Sequence, residues 1–162
     1  MTAAFAADGW AVTDNGFNGP VAFKFFGPEW FESGVNWYQA RDRCLALGNG
    51  ASLAAIHSWS EQSAINTLAD NPDQYTFTRR QAWIGANDRN SEGNWRWVQG
   101  ANYADEPITW DNWYSTNPDN RNDKNPWGGG ADCAVRGVSH GNAWDDFACN
   151  KEYNAYLCQI RF

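Results

Sequence analysis

Two short acid-amide segments lie near cysteines in the second half of the chain. Asn117-Pro118-Asp119 is the first, and Trp144-Asp145-Asp146 comes shortly before Cys149. Calcium takes about six to eight oxygen ligands from carboxylates, amide carbonyls and water, and both segments supply such oxygens. The alternatives are an ordinary Asn-Pro-Asp turn and a solvated acidic turn, but two adjacent carboxylates repel each other unless a cation lies between them. We therefore expect a calcium site on these loops.

The chain contains four cysteines, and no two of them form a Cys-x-x-Cys pair. The two histidines, His57 and His140, lie far apart in the sequence, so zinc-type spacing is absent. An even number of cysteines without metal-ligand spacing favours disulfides, which form in an oxidising compartment. We therefore expect an extracellular protein with disulfides, whose pairing the residues alone leave open. A cytosolic protein with free thiols is the alternative.

The composition excludes several classes of protein. At 162 residues, the chain is expected to form one domain. A net charge of -7 without a basic patch argues against nucleic acid as the partner. No apolar run is long enough to predict a transmembrane segment. Residues 1–10 lack the basic and apolar regions of a signal peptide, so an export signal would have been removed or would lie in a larger parent chain.

Local patterns predict two helices after an initial strand. Aromatic residues predict a strand over 21–26, and apolar residues at helical spacing predict a helix over 35–47. Ser58-x-x-Glu61 resembles a capping box and predicts a second helix that ends near Asn71-Pro72. Helices that precede the strand-rich part of a chain are typical of an α+β domain.

The second half of the chain has a different pattern. Beyond residue 81, short aromatic runs separated by Gly, Asn and Asp predict strands and long loops. The region 111–132 is predicted to be loop throughout, and a loop of that length in a compact domain is usually functional. We place the domain at 21–162. Residues 1–20, rich in Gly, Asn, Asp and Ala, are interpreted as an N-terminal extension or linker.

The order of the motifs resembles that of a C-type lectin-like domain in its short form with two disulfides. The resemblance covers about residues 22–162 and rests on these segments, in chain order: Trp37 to Cys44, Ala51 to Ser58, Trp83-Ile84-Gly85-Ala86, Gly93-Asn94-Trp95-Arg96-Trp97, Trp110-Asp111-Asn112-Trp113, Asn117-Pro118-Asp119, Trp144-Asp145-Asp146 and Tyr156-Leu157-Cys158-Gln159. It implies an α+β fold with two helices, small antiparallel sheets and a long calcium-binding loop region. It also implies the disulfides Cys44–Cys158 and Cys133–Cys149.

The resemblance further implies a calcium ion that binds sugar hydroxyls. Its ligands would be Asn117 and Asp119, joined through a cis proline bond, together with Asp145 and Asp146. The order of amide and then acid is similar to the galactose-type triplet of the family. Trp127, beside a run of three glycines, would stack on the apolar face of the sugar.

One position departs from the family pattern. Ala131 stands before Asp132-Cys133 where the family has Glu, so one ligand of the sugar-binding calcium is missing. Asp123, in the loop after the triplet, or Asp132 would have to compensate for it. Otherwise the site is weak or lost.

An accessory calcium site is implied by Asp88-x-x-x-Glu92, which Asn120 and Asp132 would complete. This ion would order the long loops and help the proline of the triplet to keep its cis form. The alternative is that the acidic residues form a polar approach to a hairpin.

Two further motifs are expected to be structural. Glu106-Pro107-Ile108 looks like the mannose-type triplet of the family, but an isoleucine cannot ligate calcium, so we interpret it as a loop before a strand. His57 is expected to be buried and hydrogen-bonded, and His140 to lie in an exposed turn.

Together these features predict a non-enzymatic, calcium-dependent carbohydrate-binding module for galactose-type or related glycans on cell surfaces. Single sites of this kind are weak, so we expect an oligomer or a larger adhesin that carries several copies. The alternative is a calcium-independent relative that binds a protein or an ice surface, which Ala131 and the 11 tryptophans favour. Asp119 with Asp145 would resemble a glycosidase pair, but no other feature supports an enzyme.

Overall fold

The computed structural model describes residues 8–14, 19–70, 81–99, 102–121, 130–137 and 142–162. Within these ranges the chain forms an α+β fold with two helices and nine strands. The helices are α1 (Trp37–Ala46) and α2 (Trp59–Ala69). The strands are β1 (Ala11–Asp14), β2 (Pro20–Phe26), β3 (Ser52–Leu53), β4 (Ala82–Asn87), β5 (Arg96–Gln99), β6 (Asn102–Pro107), β7 (Cys133–Arg136), β8 (Trp144–Phe147) and β9 (Tyr156–Arg161).

Helix α1 begins and ends at local signals in the sequence. Asn36 and Gln39 form a reciprocal capping box, in which each side chain accepts the backbone N–H of the other residue, at 3.0 and 2.9 Å. Gly48 follows the last turn with a left-handed φ of +72°, a conformation that glycine adopts without steric cost. The structure therefore confirms the predicted helix, which starts at Trp37, two residues later than the pattern indicated.

Helix α2 begins at the predicted Ser58 cap, but the carboxylate of Glu61 has a different partner from that of a standard capping box. Ser58 Oγ accepts the N–H of Glu61 at 3.2 Å. The Glu61 carboxylate accepts the N–H of His57 at 2.7 Å and not that of Ser58, so the second half of the box lies one residue earlier. The buried face of α2 is formed by Glu61, Gln62, Ile65, Leu68 and Ala69.

The strands join in one hydrogen-bonded network, in the order β1-β2-β9-β4-β5-β6. Neighbours are antiparallel except for β4 and β9, which pair in parallel at Trp83 and Tyr156. β3 pairs with β9, and β7 lies between β4 and β8. The β7–β8 pair sets Ala134 opposite Asp146, so this part of the network carries the acidic segment of β8.

The N-terminal part of the chain contributes to the sheet. β1 lies inside the segment 1–20 that the sequence predicts as an extension, and it pairs antiparallel with β2 from Ala11 to Asp14. The boundary at residue 20 stays a prediction. No helix in the described ranges is both long and apolar enough to cross a membrane.

Tryptophans fill much of the core. Trp37, Trp83, Trp97 and Trp144 are all fully buried. The indole N–H of Trp37 donates to the carbonyl of Ile84, and that of Trp83 donates to the carbonyl of Val35, at 2.9 and 2.8 Å. Buried indoles usually need such a partner. This packing accounts for several tryptophans without a ligand-binding role.

Two disulfides connect the elements, and they are the pairs that the resemblance implies. Cys44–Cys158 joins α1 to β9, and Cys133–Cys149 joins β7 to the chain after β8. In the chain-entropy model each bridge contributes on the order of 3 to 5 kcal/mol by restricting the unfolded chain. The second bridge joins the residue after Asp132 to the chain three residues after Asp146, so it links two acidic parts of the sequence.

Glu106 corrects one prediction. It lies in β6, which ends at Pro107, whereas the sequence predicts a loop before a strand. Its carboxylate contacts His57 Nε2 at 2.6 Å, and Arg161 donates to His57 Nδ1 at 2.6 Å. The carboxylate of Glu61 is fully buried and accepts hydrogen bonds from Nη1 and Nη2 of Arg161, at 3.0 and 3.1 Å. His57 is therefore largely buried and hydrogen-bonded, as predicted, and His140 lies outside the described residues.

Candidate functional site

The triplet Asn117-Pro118-Asp119 is held in place by hydrogen bonds from the backbone to the side chain of Asp146 in β8. The Asn117–Pro118 bond is cis, as the resemblance implies. The backbone N–H groups of Asp119 and Asn120 donate to the two carboxylate oxygens of Asp146, at 3.1 and 2.7 Å. Asp146 is fully buried, so it fixes the course of the loop from inside the domain.

Trp144 sets the position of the acidic segment. Its indole N–H donates to Gln62 Oε1 of α2 at 2.9 Å, and its ring packs edge-on against Trp97, Trp110 and Trp113 at centroid distances of 5.4 to 5.8 Å. Its backbone accepts from Tyr114 and donates to the carbonyl of Asn112. The aromatic segment before the triplet therefore packs on β8.

Asn120 connects the triplet to the start of β7. Its φ of +50° is left-handed, and its side-chain oxygen accepts the N–H of Ala131 at 2.7 Å. Gly130 lies so close that a Cβ there would come within 2.2 Å of that oxygen. A side chain at position 130 would therefore require the Asn120 side chain to shift away from the Ala131 N–H, besides adopting a left-handed φ of +84°. Sequence analysis did not predict this contact.

A second group of acids lies at the end of β4. Ligand oxygens of Asp88, Glu92 and Asp132 all come within 4.8 Å of one another. Asp88 Oδ2 accepts the N–H of Gly93 at 2.8 Å. Asp88 Oδ1 and Asp132 Oδ1 are shielded from solvent and accept no hydrogen bond from the described residues. Buried carboxylate oxygens without a partner are costly, and a cation between them removes the cost.

The electrostatics of this group favour a bound cation. Burial, with repulsion from Glu92 and Asp132, raises the pKa of Asp88 to about 7. Burial and the charge of Glu92 also raise the pKa of Asp132. Arg89 approaches the rim, with its guanidinium 3.8 Å from Asp132 Oδ2. One rim cation against three carboxylates leaves a site of net negative charge.

The donor set fits calcium. Carboxylate oxygens suit a hard divalent cation, and Asp88, Glu92 and Asp132 supply three of them at one place. Asn120 also belongs to the predicted accessory set, but its side-chain oxygen already accepts the N–H of Ala131. Its role as a ligand stays a prediction.

The residues predicted for the sugar-binding calcium are only partly brought together. Asp119 and Asp146 are joined through the backbone of the triplet, and Asp145 lies next along β8, where its carboxylate accepts the N–H of Asp146 at 2.9 Å. Asn117 precedes the cis proline on the same loop. Ala131 is fully buried and offers no side-chain oxygen. Asp123 and Trp127 lie outside the described residues.

A buried polar network contacts Trp144, the residue before Asp145, through Gln62 of α2. Arg136 of β7 is fully buried and donates to the side-chain oxygens of Asn66 and Asn142. Gln62 donates to Asn66 at 2.8 Å and accepts from Trp144. Burial lowers the pKa of Arg136 to about 10. Sequence analysis missed this network; polar Gln62 and Asn66 on the helix are the only signal for it.

Comparisons with known proteins identify the family. A family model described as "Lectin C-type domain" matches residues 33–160. Echinoidin of Heliocidaris crassispina is 30% identical in an alignment of 152 positions that covers 87% of this chain and 95% of that protein. Asialoglycoprotein receptor 2 of Homo sapiens is 34% identical over 133 residues, 82% of this chain but only 37% of the receptor.

Solved structures show the same fold. The carbohydrate-recognition domain of the mouse scavenger receptor C-type lectin is 26% identical, with a TM-score of 0.66 and coverage of 94% of this chain and 95% of that one. The C-type lectin CEL-I from Cucumaria echinata is 23% identical, with a TM-score of 0.66 and coverage of 94% and 95%. The names of these relatives and structures include a receptor and two C-type lectins, and none is that of an enzyme. Since the family model covers most of the chain and echinoidin matches along nearly its whole length, the chain belongs to the C-type lectin domain family, and the expected fold is confirmed.

Proposed function

We propose that this domain binds carbohydrate in a calcium-dependent manner and catalyses no reaction. One observation carries the calcium part of the proposal: three carboxylates lie within 4.8 Å of one another, and two of their buried oxygens have no hydrogen-bond partner among the described residues. Membership of the C-type lectin domain family supports the carbohydrate part.

In this proposal two sets of residues act together. Asp88, Glu92 and Asp132 hold one cation where β4 and β7 meet. Asn117, Asp119, Asp145 and Asp146 present oxygens to a second cation and to sugar hydroxyls. A bound calcium ion supplies coordination positions that two neighbouring hydroxyls can fill. Each amide or carboxylate oxygen then contacts the metal with one lone pair and a hydroxyl with another.

The glycan class is proposed to be galactose-type or related. The Asn-Pro-Asp triplet keeps the order of amide and then acid, and Trp127 follows in the loop. The 34% identity to a protein named for asialoglycoproteins agrees with a glycoprotein ligand. We propose an extracellular setting because the two disulfides need an oxidising compartment. Several copies, in an oligomer or a larger adhesin, would supply avidity.

Thermal unfolding with calcium and with chelator tests the cation sites. Calcium at about 100 times its Kd would stabilise the fold by about 2.7 kcal/mol, a rise in Tm of about 5 to 11 °C for a domain of this size. The substitution Glu92→Gln should reduce the rise, because it removes one carboxylate of the cluster at an exposed position. The change Asp145→Ala, which leaves the hydrogen bonds from Asp119 and Asn120 to Asp146 in place, should abolish glycan binding on an array. Asp42→Asn, at an exposed helix position, is the control and should keep both properties.

Ala131 favours a second candidate function, in which the domain binds its ligand without calcium. This residue is fully buried and leaves the sugar-binding set one oxygen short. If calcium neither raises Tm nor supports binding to any glycan, the calcium-dependent proposal is wrong. The remaining candidate is then a calcium-independent surface for a protein or for ice, tested by pull-down with extracellular proteins and by ice-growth microscopy.

A further inference from the structure

We infer that Tyr114 is a ligand-contacting residue that contributes to glycan selectivity; the inference rests on the proposed function. Among the exposed large hydrophobic residues in the described part of the chain, Tyr114 alone lies in the loop region 108–132, and it is 40% exposed. The other aromatic residues of its segment, Trp110 and Trp113, pack against Trp144 and are partly buried. Tyr114 is therefore the aromatic side chain of this segment that faces solvent.

The backbone of Tyr114 is fixed between the two halves of the candidate sugar site. Its N–H donates to the carbonyl of Trp144, the residue before Asp145, at 2.8 Å. Its carbonyl accepts the N–H of Asn117, the first residue of the triplet, at 3.0 Å. This second bond closes a turn through Ser115, whose φ is +52°.

The turn places Tyr114 within reach of a sugar bound at the triplet. The first and last Cα atoms of a β-turn lie less than about 7 Å apart, so Tyr114 and Asn117 are close neighbours. With its backbone hydrogen-bonded on both sides, only two side-chain torsions of Tyr114 need to be ordered on binding. Tyrosine is favoured on binding surfaces because it offers a large contact area at this low entropic cost.

The chemistry of a phenol ring suits a pyranose ligand. The ring face packs against the C–H groups of a sugar, and the hydroxyl donates or accepts one hydrogen bond at the rim. Which C–H groups are offered to the ring differs between sugars that differ in one axial or equatorial hydroxyl. Tyr114 would therefore affect the ratio of affinities for galactose and mannose, besides the affinity itself.

The test measures sugar affinity and calcium response in the same four proteins: wild type, Tyr114→Ala, Tyr114→Phe and the control Trp59→Ala. Trp59 is also an exposed aromatic residue, 61% exposed, but it lies at the start of α2. The probes are galactose, N-acetylgalactosamine, mannose and N-acetylglucosamine, titrated calorimetrically in calcium. We expect Tyr114→Ala to weaken the best sugar about 4- to 10-fold, as expected for losing about 30 to 55 Å² of apolar contact, and to change the galactose-to-mannose ratio.

The controls separate contact from structure. Tyr114→Phe should remain within about twofold of wild type, Trp59→Ala should be unchanged, and calcium should raise the Tm of all four proteins equally. If the wild type binds a sugar and Tyr114→Ala binds it equally well with the same ratio, the Tyr114 inference is wrong and the proposed function stands. If the wild type binds none of the four sugars in calcium, the proposed function fails and the inference fails with it.

Discussion

Asp88→Asn should stabilise the protein in chelator and destabilise it relative to wild type in calcium. Asp88 is 4% exposed, and burial is the main reason that its pKa rises from 3.8 to about 7. The folded state therefore binds the proton more tightly than the unfolded state does. The protonated carboxyl of Asp88 therefore contributes to the stability of the fold below about pH 4, and this contribution is lost as the pH rises to about 7. Above that pH the ionised carboxylate opposes folding, and the asparagine does not.

The magnitude follows from the same pKa. The difference between 3.8 and about 7 corresponds to about 4 kcal/mol when the carboxylate is fully ionised. Arg89 and nearby water screen part of this charge, so we expect a gain of about 2 kcal/mol for the asparagine variant. That corresponds to a rise in Tm of about 4 to 8 °C. An asparagine oxygen can still accept the N–H of Gly93, so the turn after β4 is retained.

The assay is thermal unfolding of wild type and Asp88→Asn in chelator at pH 4, 5.5 and 7.5, and in calcium at pH 7.5. The stabilisation should be near zero at pH 4 and largest at pH 7.5, and its sign should reverse in calcium because the variant lacks a ligand. Asp42→Asn, the same chemical change at an exposed position, should show neither effect. A variant that is less stable than wild type in chelator at pH 7.5, or equally stabilised at pH 4 and 7.5, would refute the electrostatic argument.

Two further predictions concern contacts that hold the site and the fold. Gly130→Ala should lower Tm more than Gly48→Ala does and should weaken glycan binding. Both glycines have a left-handed φ, which costs an alanine about 1 to 2 kcal/mol, but only at Gly130 would the new Cβ collide with Asn120. Equal losses of Tm for the two variants would show that the collision is relieved without effect. Glu61→Gln should cost about 3 kcal/mol in urea unfolding at pH 7, because it breaks a buried ion pair with Arg161. Burial alone would raise the pKa of Glu61, but hydrogen bonds from His57 and Arg161 outweigh it and lower the pKa from 4.5 to about 2. The contribution of Glu61 is therefore present above pH 4.5, and the difference in stability between wild type and variant should shrink as the pH falls towards 2.

The local elements were predictable because their signals are local. The Ser58 cap and the glycine after α1 are read directly from neighbouring residues, and the structure has both helices where the patterns indicate them. The resemblance added what local signals do not contain, namely the two disulfide pairs and the cis bond before Pro118. Both depend on distant parts of the chain, so no local pattern indicates them.

The roles of several polar residues were not predictable, for the same physical reason. Asp146 is predicted to be a metal ligand, and the sequence does not indicate its second role, in which both of its oxygens accept backbone N–H groups from residues 26 and 27 positions earlier. Glu106 is predicted to lie in a loop before a strand, yet it lies in β6 and contacts His57, 49 positions away. A carboxylate has the same chemistry whether it binds a cation, a backbone amide or an imidazole. Only the fold decides which partner is near.

The double role of Asp146 determines how calcium dependence must be tested. Its carboxylate organises the triplet through two backbone hydrogen bonds, so part of the loop geometry is set by the protein itself. Removing Asp146 would therefore disrupt the sugar site whether or not a metal binds there, and loss of binding in that variant cannot distinguish the two causes. Glu92 has no such role, because it is exposed and belongs only to the acid cluster among the described contacts. A variant at Glu92 that loses the calcium response and the glycan affinity together would therefore show that the ion at the cluster, and not the hydrogen bonds of Asp146 alone, is needed to hold the triplet ready for a ligand.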